Sequence, residues 1–235
     1  MALEFVSLSV LKNIMKDIEN PSLLCFGYPD LLITDDELRQ IFGLSIKCHK
    51  LKVRSDSEKI INWHGRSHDL NKIYDTYSLF EQLECELFIS DIAEIRGGEI
   101  ILDLNLPLTH DSKYNIVYDG GTLEHCFNIG QAIQNMASLV KVNGHIVHIN
   151  PMNMINHGFY NLNPTFYSDF YRQNGHEIIS MRALVKGRLS NELDPLLRLE
   201  NIQEAATIVC VAQKKHDEDF IYPTQAKYLL SPTLG

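Results

Sequence analysis

The sequence has no C-x-x-C pair, no G-x-G-x-x-G run, no long unbroken apolar segment and no excess of positive charge. Its five cysteines, Cys25, Cys48, Cys85, Cys126 and Cys210, are odd in number and widely scattered. That pattern argues against a metal or redox pair and fits reduced thiols in a cytoplasm. Lys and Arg total 21 against 30 Asp and Glu, a net charge of -9, so affinity drawn from neutralising phosphates is not expected and nucleic acid is excluded as a partner. Residues 1–21 carry Glu4 early and no basic stretch, and Ser7, Ser9 and Lys12 interrupt their apolar residues. Neither an export signal nor a membrane span is therefore expected. Gly27 is followed by Tyr28-Pro29-Asp30, so the fingerprint of an NAD-dependent oxidoreductase or epimerase is missing.

What is present describes an α/β protein. At 235 residues and 45% hydrophobic, the chain can bury one substantial core, and a single domain over 1–235 is expected. Leu3, Val6, Val10, Ile14 and Ile18 recur at helical spacing, predicting a leading helix within 1–20 that Pro21 ends. Ser22–Gly27 is an apolar run closed by glycine, a buried strand with a sharp turn at its end. Thr34 and Glu37 form a capping box before the next helix. Residues 45–80 are polar and irregular around Trp63, His64, Arg66 and His68, and read as an insertion or lid closing in the helix-like DTYSLFEQL.

The alternation then resumes with LECELFIS before Asp91, EIILDLN around Asp103, and NIVYD ending at Asp119. Asn128 and Gln131 open a helix that runs to Val140 and is closed by Gly144, before the strand HIVHIN. Pro164–Gly175 reads as a further helix, and HEIISMRALV and AATIVCVAQK as two last strands, an antiparallel pair at one edge. Strands alternating with helices predict a doubly wound, mainly parallel sheet.

Ligands of such sheets bind beyond the carboxyl ends of the strands, where this chain has three aspartates. Asp91 suits the hydroxyls of an adenosine ribose or, equally simply, a turn. Asp103 suits an adenine amine, with Leu104 against the ring, or a local turn. After Asp119, Gly120 and Gly121 let backbone approach a ligand closely. Asn153, His157, Tyr160, Asn161 and Tyr167 follow the fifth strand, where substrate loops lie, whereas His145 and His148 alternate along a strand and read as structural. Glu124 and His125 alone make no metal site, so no metal is expected.

NIVYDGGTLEHCFNIGQAIQNMASLVKVNGHIVHINP over 115–151 resembles the stretch of class I S-adenosylmethionine-dependent methyltransferases from the acidic turn of the fourth strand to the fifth strand. With ISDIAEIRGGEIILDLNLPL and HGFYNLNPTFYSDFY, it is similar to a bacterial subgroup associated with surface-polysaccharide gene clusters. The resemblance covers 22–175, about two thirds of the chain. It implies a seven-stranded Rossmann-like sheet with an antiparallel edge strand, and S-adenosylmethionine as cofactor. Gly27 and Tyr28 stand in for the glycine-rich motif, and Asp91 with Ile92 for the ribose acid. Asp103 and Leu104 fall on the adenine side, and Asp119, Gly120 and Gly121 near the methionine part.

The same resemblance sets His125, with Glu124, near the transferred methyl as general base, and makes Asn153, His157, Tyr160 and Tyr167, within the segment 151–175, the substrate side. The expected reaction is O-methylation of a small sugar or phosphorylated precursor of a cell-surface glycan (capsule or polysaccharide biosynthesis). N-methylation and a catalytically degenerate scaffold are its alternatives. Its partners would be a small-molecule acceptor and, in a homodimer, a second copy.

Overall fold

The leading segment forms a short strand β1 (Ala2–Leu3) and the helix α1 (Phe5–Met15), which buries Leu8 and Leu11. In the computed structural model, which describes residues 2–199 and 204–230, the chain divides into two units, Met1–Leu102 and Asp103–Gly235.

In the first unit the apolar run Ser22–Phe26 is the strand β2, with Leu23, Leu24 and Cys25 fully buried. Gly27 turns out of it at φ +77, a left-handed conformation that a side chain would strain. β3 (Asp30–Leu31) pairs in parallel with β1. The capping box of α2 (Asp35–Phe42) is realised: Thr34 Oγ1 accepts from the Glu37 amide at 3.2 Å, and Glu37 Oε2 from the Thr34 amide at 2.8 Å. The segment 45–80 is more ordered than its polarity suggested. It holds α3 (Ser57–Trp63), and Ile60, Ile61, Leu70 and Ile73 pack with Leu32 into a small core. α4 (Thr76–Gln82), capped by Asp75, leads into β4 (Glu86–Asp91), which runs parallel to β2 and to β5 (Ile100–Ile101). The strand expected around Asp103 is thus confined to Ile100–Ile101.

In the second unit β6 (Tyr114–Asp119) leads to α5 (Ile129–Ser138) and β7 (Val140–Pro151). Asn128 does not cap α5 through its side chain, which donates instead to the Asn105 carbonyl at 3.1 Å. The strand begins at Val140, so Gly144 lies within it rather than closing the helix, and it is a close-packing site: a Cβ there would lie 2.7 Å from the Asn115 carbonyl oxygen. β6 and β7 are parallel. α6 (Pro164–Gln173) has proline in its first turn and Asn163 as its cap, and Gly175 follows at φ +71. β8 (His176–Val185), β9 (Arg188–Glu192) and β10 (Ala206–Lys214) complete the unit, with α7 (Ala226–Leu230) after them. β10 lies between β7 and β8, antiparallel to both, and β9 is antiparallel to β8. The expected antiparallel pair is therefore present, and β9 adds a strand whose polar sequence, RLSNE, gave little sign of it. Among the described residues the first unit contributes three strands (β2, β4, β5) and the second five (β6–β10) to the main sheet, eight where seven were expected.

Candidate functional site

The parallel register of β6 and β7 sets Asp119 opposite His148, with Asn150 two residues further on the same face. All three are fully buried, as is Glu124 in the short turn Leu123–His125 after β6. Four polar side chains cannot be buried together cheaply unless they satisfy one another. Here they largely do. Asp119 Oδ1 accepts the amides of Thr122 (2.8 Å) and Leu123 (3.2 Å), which fixes the turn after the strand. Its Oδ2 is within hydrogen-bond reach of His148 Nδ1 (2.7 Å) and accepts from Asn150 Nδ2 (3.0 Å). With Nδ1 donating to Asp119, His148 Nε2 accepts the Tyr171 hydroxyl. Asn150 bridges the carboxylates by donating also to Glu124 Oε2 at 2.9 Å, and its Oδ1 accepts the Tyr167 hydroxyl at 2.6 Å.

Glu124 Oε1 alone is left over: it is buried and accepts no hydrogen bond. Burial first, then the charge of Asp119, push the Glu124 carboxyl up to about 7. Facing Oε1 are two imidazoles at the surface, His157 Nε2 at 3.5 Å and His125 Nε2 at 3.9 Å, whose rings lie 5.4 Å apart. Partial burial, and next the nearby His157, hold His125 below the usual histidine range, so it is neutral at pH 7. The loop carrying His157 is tied down by the amides of Phe159 (2.9 Å) and Tyr160 (3.3 Å), which donate to the Glu124 carbonyl.

The two glycines after Asp119 have local duties. A Cβ on Gly120 would sit 2.6 Å from the Tyr118 ring, and Gly121 has φ +102. Both therefore serve the turn itself, which is a sufficient reason for glycine before any ligand is considered.

The other sequence-derived candidates divide sharply. Asp103 Oδ1 accepts the Asn105 amide (2.9 Å) and side chain (3.0 Å), and the amide above all keeps its carboxyl below the usual range, the local-turn arrangement. Leu104 is buried, and its carbonyl accepts from Asn135. Asn153 spans the backbone of Glu204 and Ala206 with both ends of its amide. Asn161 accepts the Met154 amide, and Tyr160 donates its hydroxyl to the Phe127 carbonyl at 2.8 Å. Tyr167 is fully buried behind Asn150, so it supports the network and lines no surface. His148, read as structural, and Asn150, not singled out at all, are central to the network. The available signal was two polar residues two apart in the apolar second half of the strand, IVHINP, which puts both on one buried face.

In the first unit, Asp91 Oδ1 accepts the Ile92 amide at 2.7 Å, and Ile92 is exposed. The Gly27 amide donates to the Ser90 carbonyl at 2.6 Å. Tyr28 donates its hydroxyl to Asp75 (2.9 Å) and accepts from the Thr76 amide, while Arg96 and Arg54 lie 4.1 and 4.9 Å from its ring centre. Beside it Asp30 meets Arg96 (3.2 Å), His64 (3.3 Å) and Arg54 (3.8 Å). No sequence motif announced this cluster, because it joins the first strand's turn to the polar segment 45–80.

No helix among the described residues is long and apolar enough to cross a membrane. No family model matches the sequence, and no curated protein matches it. Among solved structures, the N1-methyltransferase of Burkholderia thailandensis that acts on 1,6-didemethyltoxoflavin, with that compound and S-adenosylhomocysteine bound, matches at a TM-score of 0.50 and 11% identity, over 90% of this chain and 78% of that one. A TehB-like S-adenosylmethionine-dependent methyltransferase of Corynebacterium glutamicum gives 0.41 at 11% identity, over 88% of each chain. The first of these likenesses establishes the architecture: the chain has the α/β Rossmann-like methyltransferase fold, mainly parallel with an antiparallel edge.

Proposed function

We propose that the protein is an S-adenosylmethionine-dependent methyltransferase acting on a hydroxyl of a small acceptor in the cytoplasm. The observation that carries this reading is the fold it shares with a methyltransferase solved with S-adenosylhomocysteine. The buried Asp119 at the end of β6 supports it. A sugar or phosphorylated precursor of a cell-surface glycan is the acceptor we favour, on the sequence resemblance alone. The cofactor supplies an already activated methyl group, so protein groups need only bind, orient and remove a proton.

Gly27, Tyr28, Asp91 and Ile92 of the first unit, and Asp103, Leu104, Asp119, Gly120 and Gly121 of the second, are the cofactor-binding residues in this reading. Glu124, His125 and His157 lie at the acceptor end, with Asn153 and Tyr160 holding the loop that carries His157. In this reading neutral His125 takes the acceptor's proton.

A non-catalytic binding protein is the second reading, favoured by Tyr28: it occupies the position after the lone Gly27, and its hydroxyl is already committed to Asp75 and Thr76. Calorimetric titration with S-adenosylhomocysteine, alongside NADH, tests the proposal. Micromolar binding of the first alone is expected. Binding of neither would overturn the methyltransferase reading and leave the second.

A further inference from the structure

We propose that Glu124, His125 and His157 form a binding site for a divalent transition-metal ion. Each offers one ligand atom, and the three atoms lie within 4.8 Å of one another. Glu124 Oε1 is 3.5 Å from His157 Nε2 and 3.9 Å from His125 Nε2. A tetrahedral ion with bonds of about 2.0–2.1 Å separates its donors by about 3.4 Å. The donors therefore need only draw inward, a movement open to two imidazoles that are half-exposed.

The independent observation is the carboxylate. Glu124 is completely buried, its Oε2 is held by Asn150 at 2.9 Å, and its Oε1 points at the imidazoles without a hydrogen bond. A buried carboxylate oxygen without a partner is costly, and a cation at that point removes the cost. The surroundings are those of a supported ligand. Asn150 orients Glu124, and Asp119, His148 and Tyr167 in turn orient Asn150 or its partner carboxylate, the outer shell a bound metal requires. Glycines keep the space open. A Cβ on Gly121 would lie 3.3 Å from Glu124 Oε1, and one on Gly158 would lie 2.8 Å from the Glu124 carbonyl and 3.1 Å from His125 Nδ1.

The donor chemistry selects the ion. Two imidazoles and one carboxylate suit zinc and its first-row neighbours, whereas magnesium and calcium take oxygen ligands. Three protein ligands leave coordination positions free, and with His125 50% and His157 47% exposed those positions face solvent. A hydroxyl bound there would give its proton to water and keep the O–H electron pair on the metal-bound oxygen, with no change of metal oxidation state. This last consequence rests on the methyltransferase reading, and in it His125 is a ligand rather than the base.

The test is titration of the full chain, dialysed against EDTA, with zinc by calorimetry and with cobalt(II) by visible absorption. One equivalent of zinc should bind at micromolar affinity or tighter, in the presence of excess magnesium, and cobalt should show the bands of an imidazole-ligated ion. His125→Ala, His157→Ala and Glu124→Gln should each weaken zinc binding by about tenfold or more, whereas His68→Ala, at an exposed histidine of the first unit, should not. Circular dichroism checks that Glu124→Gln folds; the two histidine variants, at the surface, decide the matter if it does not. No binding at millimolar zinc, or binding that both histidine variants leave intact, would overturn the site. Titration with S-adenosylhomocysteine separates the proposals: zinc binding without it keeps the metal site and removes the methyltransferase reading, and the reverse result does the opposite.

Discussion

In Met1–Leu102 the buried Asp30 is met by Arg54, Arg96 and His64, whereas in Asp103–Gly235 the more deeply buried Asp119 is met by backbone amides, an imidazole and a carboxamide. The first unit matches charge with charge near solvent; the same habit recurs where Arg54 meets Asp56 and Arg66 meets Asp69. The second matches charge with dipoles in its interior. Charge pairs at a surface are adaptable, because water and neighbouring side chains can replace a lost partner. A carboxylate held by fixed dipoles is not replaceable in that way, and what it offers is geometry.

The largest expected effect follows directly. Asp119→Ala strands the Thr122 and Leu123 amides, His148 and Asn150 together, and should cost about 3–5 kcal/mol. Asp30→Ala should cost clearly less, about 1–2 kcal/mol, because Arg54 keeps Asp56 as a partner at 2.7 Å. Urea unfolding of both variants measures the difference. Equal losses would erase the contrast between the units.

A second contrast is between histidines. His125→Ala should lower kcat by about 10²-fold while leaving unfolding free energy within about 0.5 kcal/mol, since the ring is half-exposed and its approach to the buried Glu124, at 3.9 Å, is longer than a hydrogen bond. His64→Ala, which removes a partner of Asp30, should shift stability and leave kcat alone. A stable and fully active His125→Ala protein would remove His125 from the chemistry.

How much of this was legible in the sequence depends on range. Helix starts were readable wherever a cap is local, as at Thr34 and Asn163, and the apolar run Ser22–Phe26 announced its strand. That the three aspartates lie at or just beyond strand ends was readable, but their environments were not. Asp103 turned on Asn105, two residues away, and could be read as a turn; Asp119 depends on His148 and Asn150, which only strand pairing brings to it. Likewise Glu124 and His125 gave no third ligand, because His157 reaches them from a loop 32 residues on whose position is set by β7. Side chains whose role is fixed by register or by loop return are invisible to spacing along one chain.

The two ways of matching charge should also separate in acid. His176, buried at the start of β8, donates to the Asn174 carbonyl and is held neutral; burial, chiefly, lowers it from 6.5 to about 4. Because its folded value lies below the unfolded one, the unfolded chain takes up the proton first. Stability is then complete above about pH 6.5 and falls between that pH and about 4, by up to about 3 kcal/mol. Asp56, held below the usual range chiefly by Arg54, gives up its contribution only in more acidic solution. Over pH 7.5 to 5 Glu124, raised to about 7, titrates with the opposite sign, so the His176 contribution to unfolding is read as the difference between the wild type and His176→Asn, the wild type losing stability relative to the variant as the pH falls. An unchanged slope in that variant would show the loss to arise elsewhere.

The smallest effect concerns two tyrosines and asks whether Tyr167 supports the network or reaches the acceptor. Its hydroxyl donates to Asn150 Oδ1 at 2.6 Å, with no solvent to replace it. Tyr167→Phe leaves the ring's packing against His148 and Tyr171 intact, at centroid distances of 4.8 and 6.5 Å, and removes only that bond. The cost should be about 1–2 kcal/mol, because a buried acceptor is left empty. Tyr28→Phe breaks a bond to the Asp75 carboxylate and one from the Thr76 amide, but at a half-buried hydroxyl where water can take its place, so less than about 1 kcal/mol is expected. Once an acceptor is known, Tyr167→Phe should leave its KM unchanged and lower kcat slightly, through the looser Asn150 and Glu124. A KM that rises about tenfold at unaltered stability would instead place the Tyr167 hydroxyl against the acceptor.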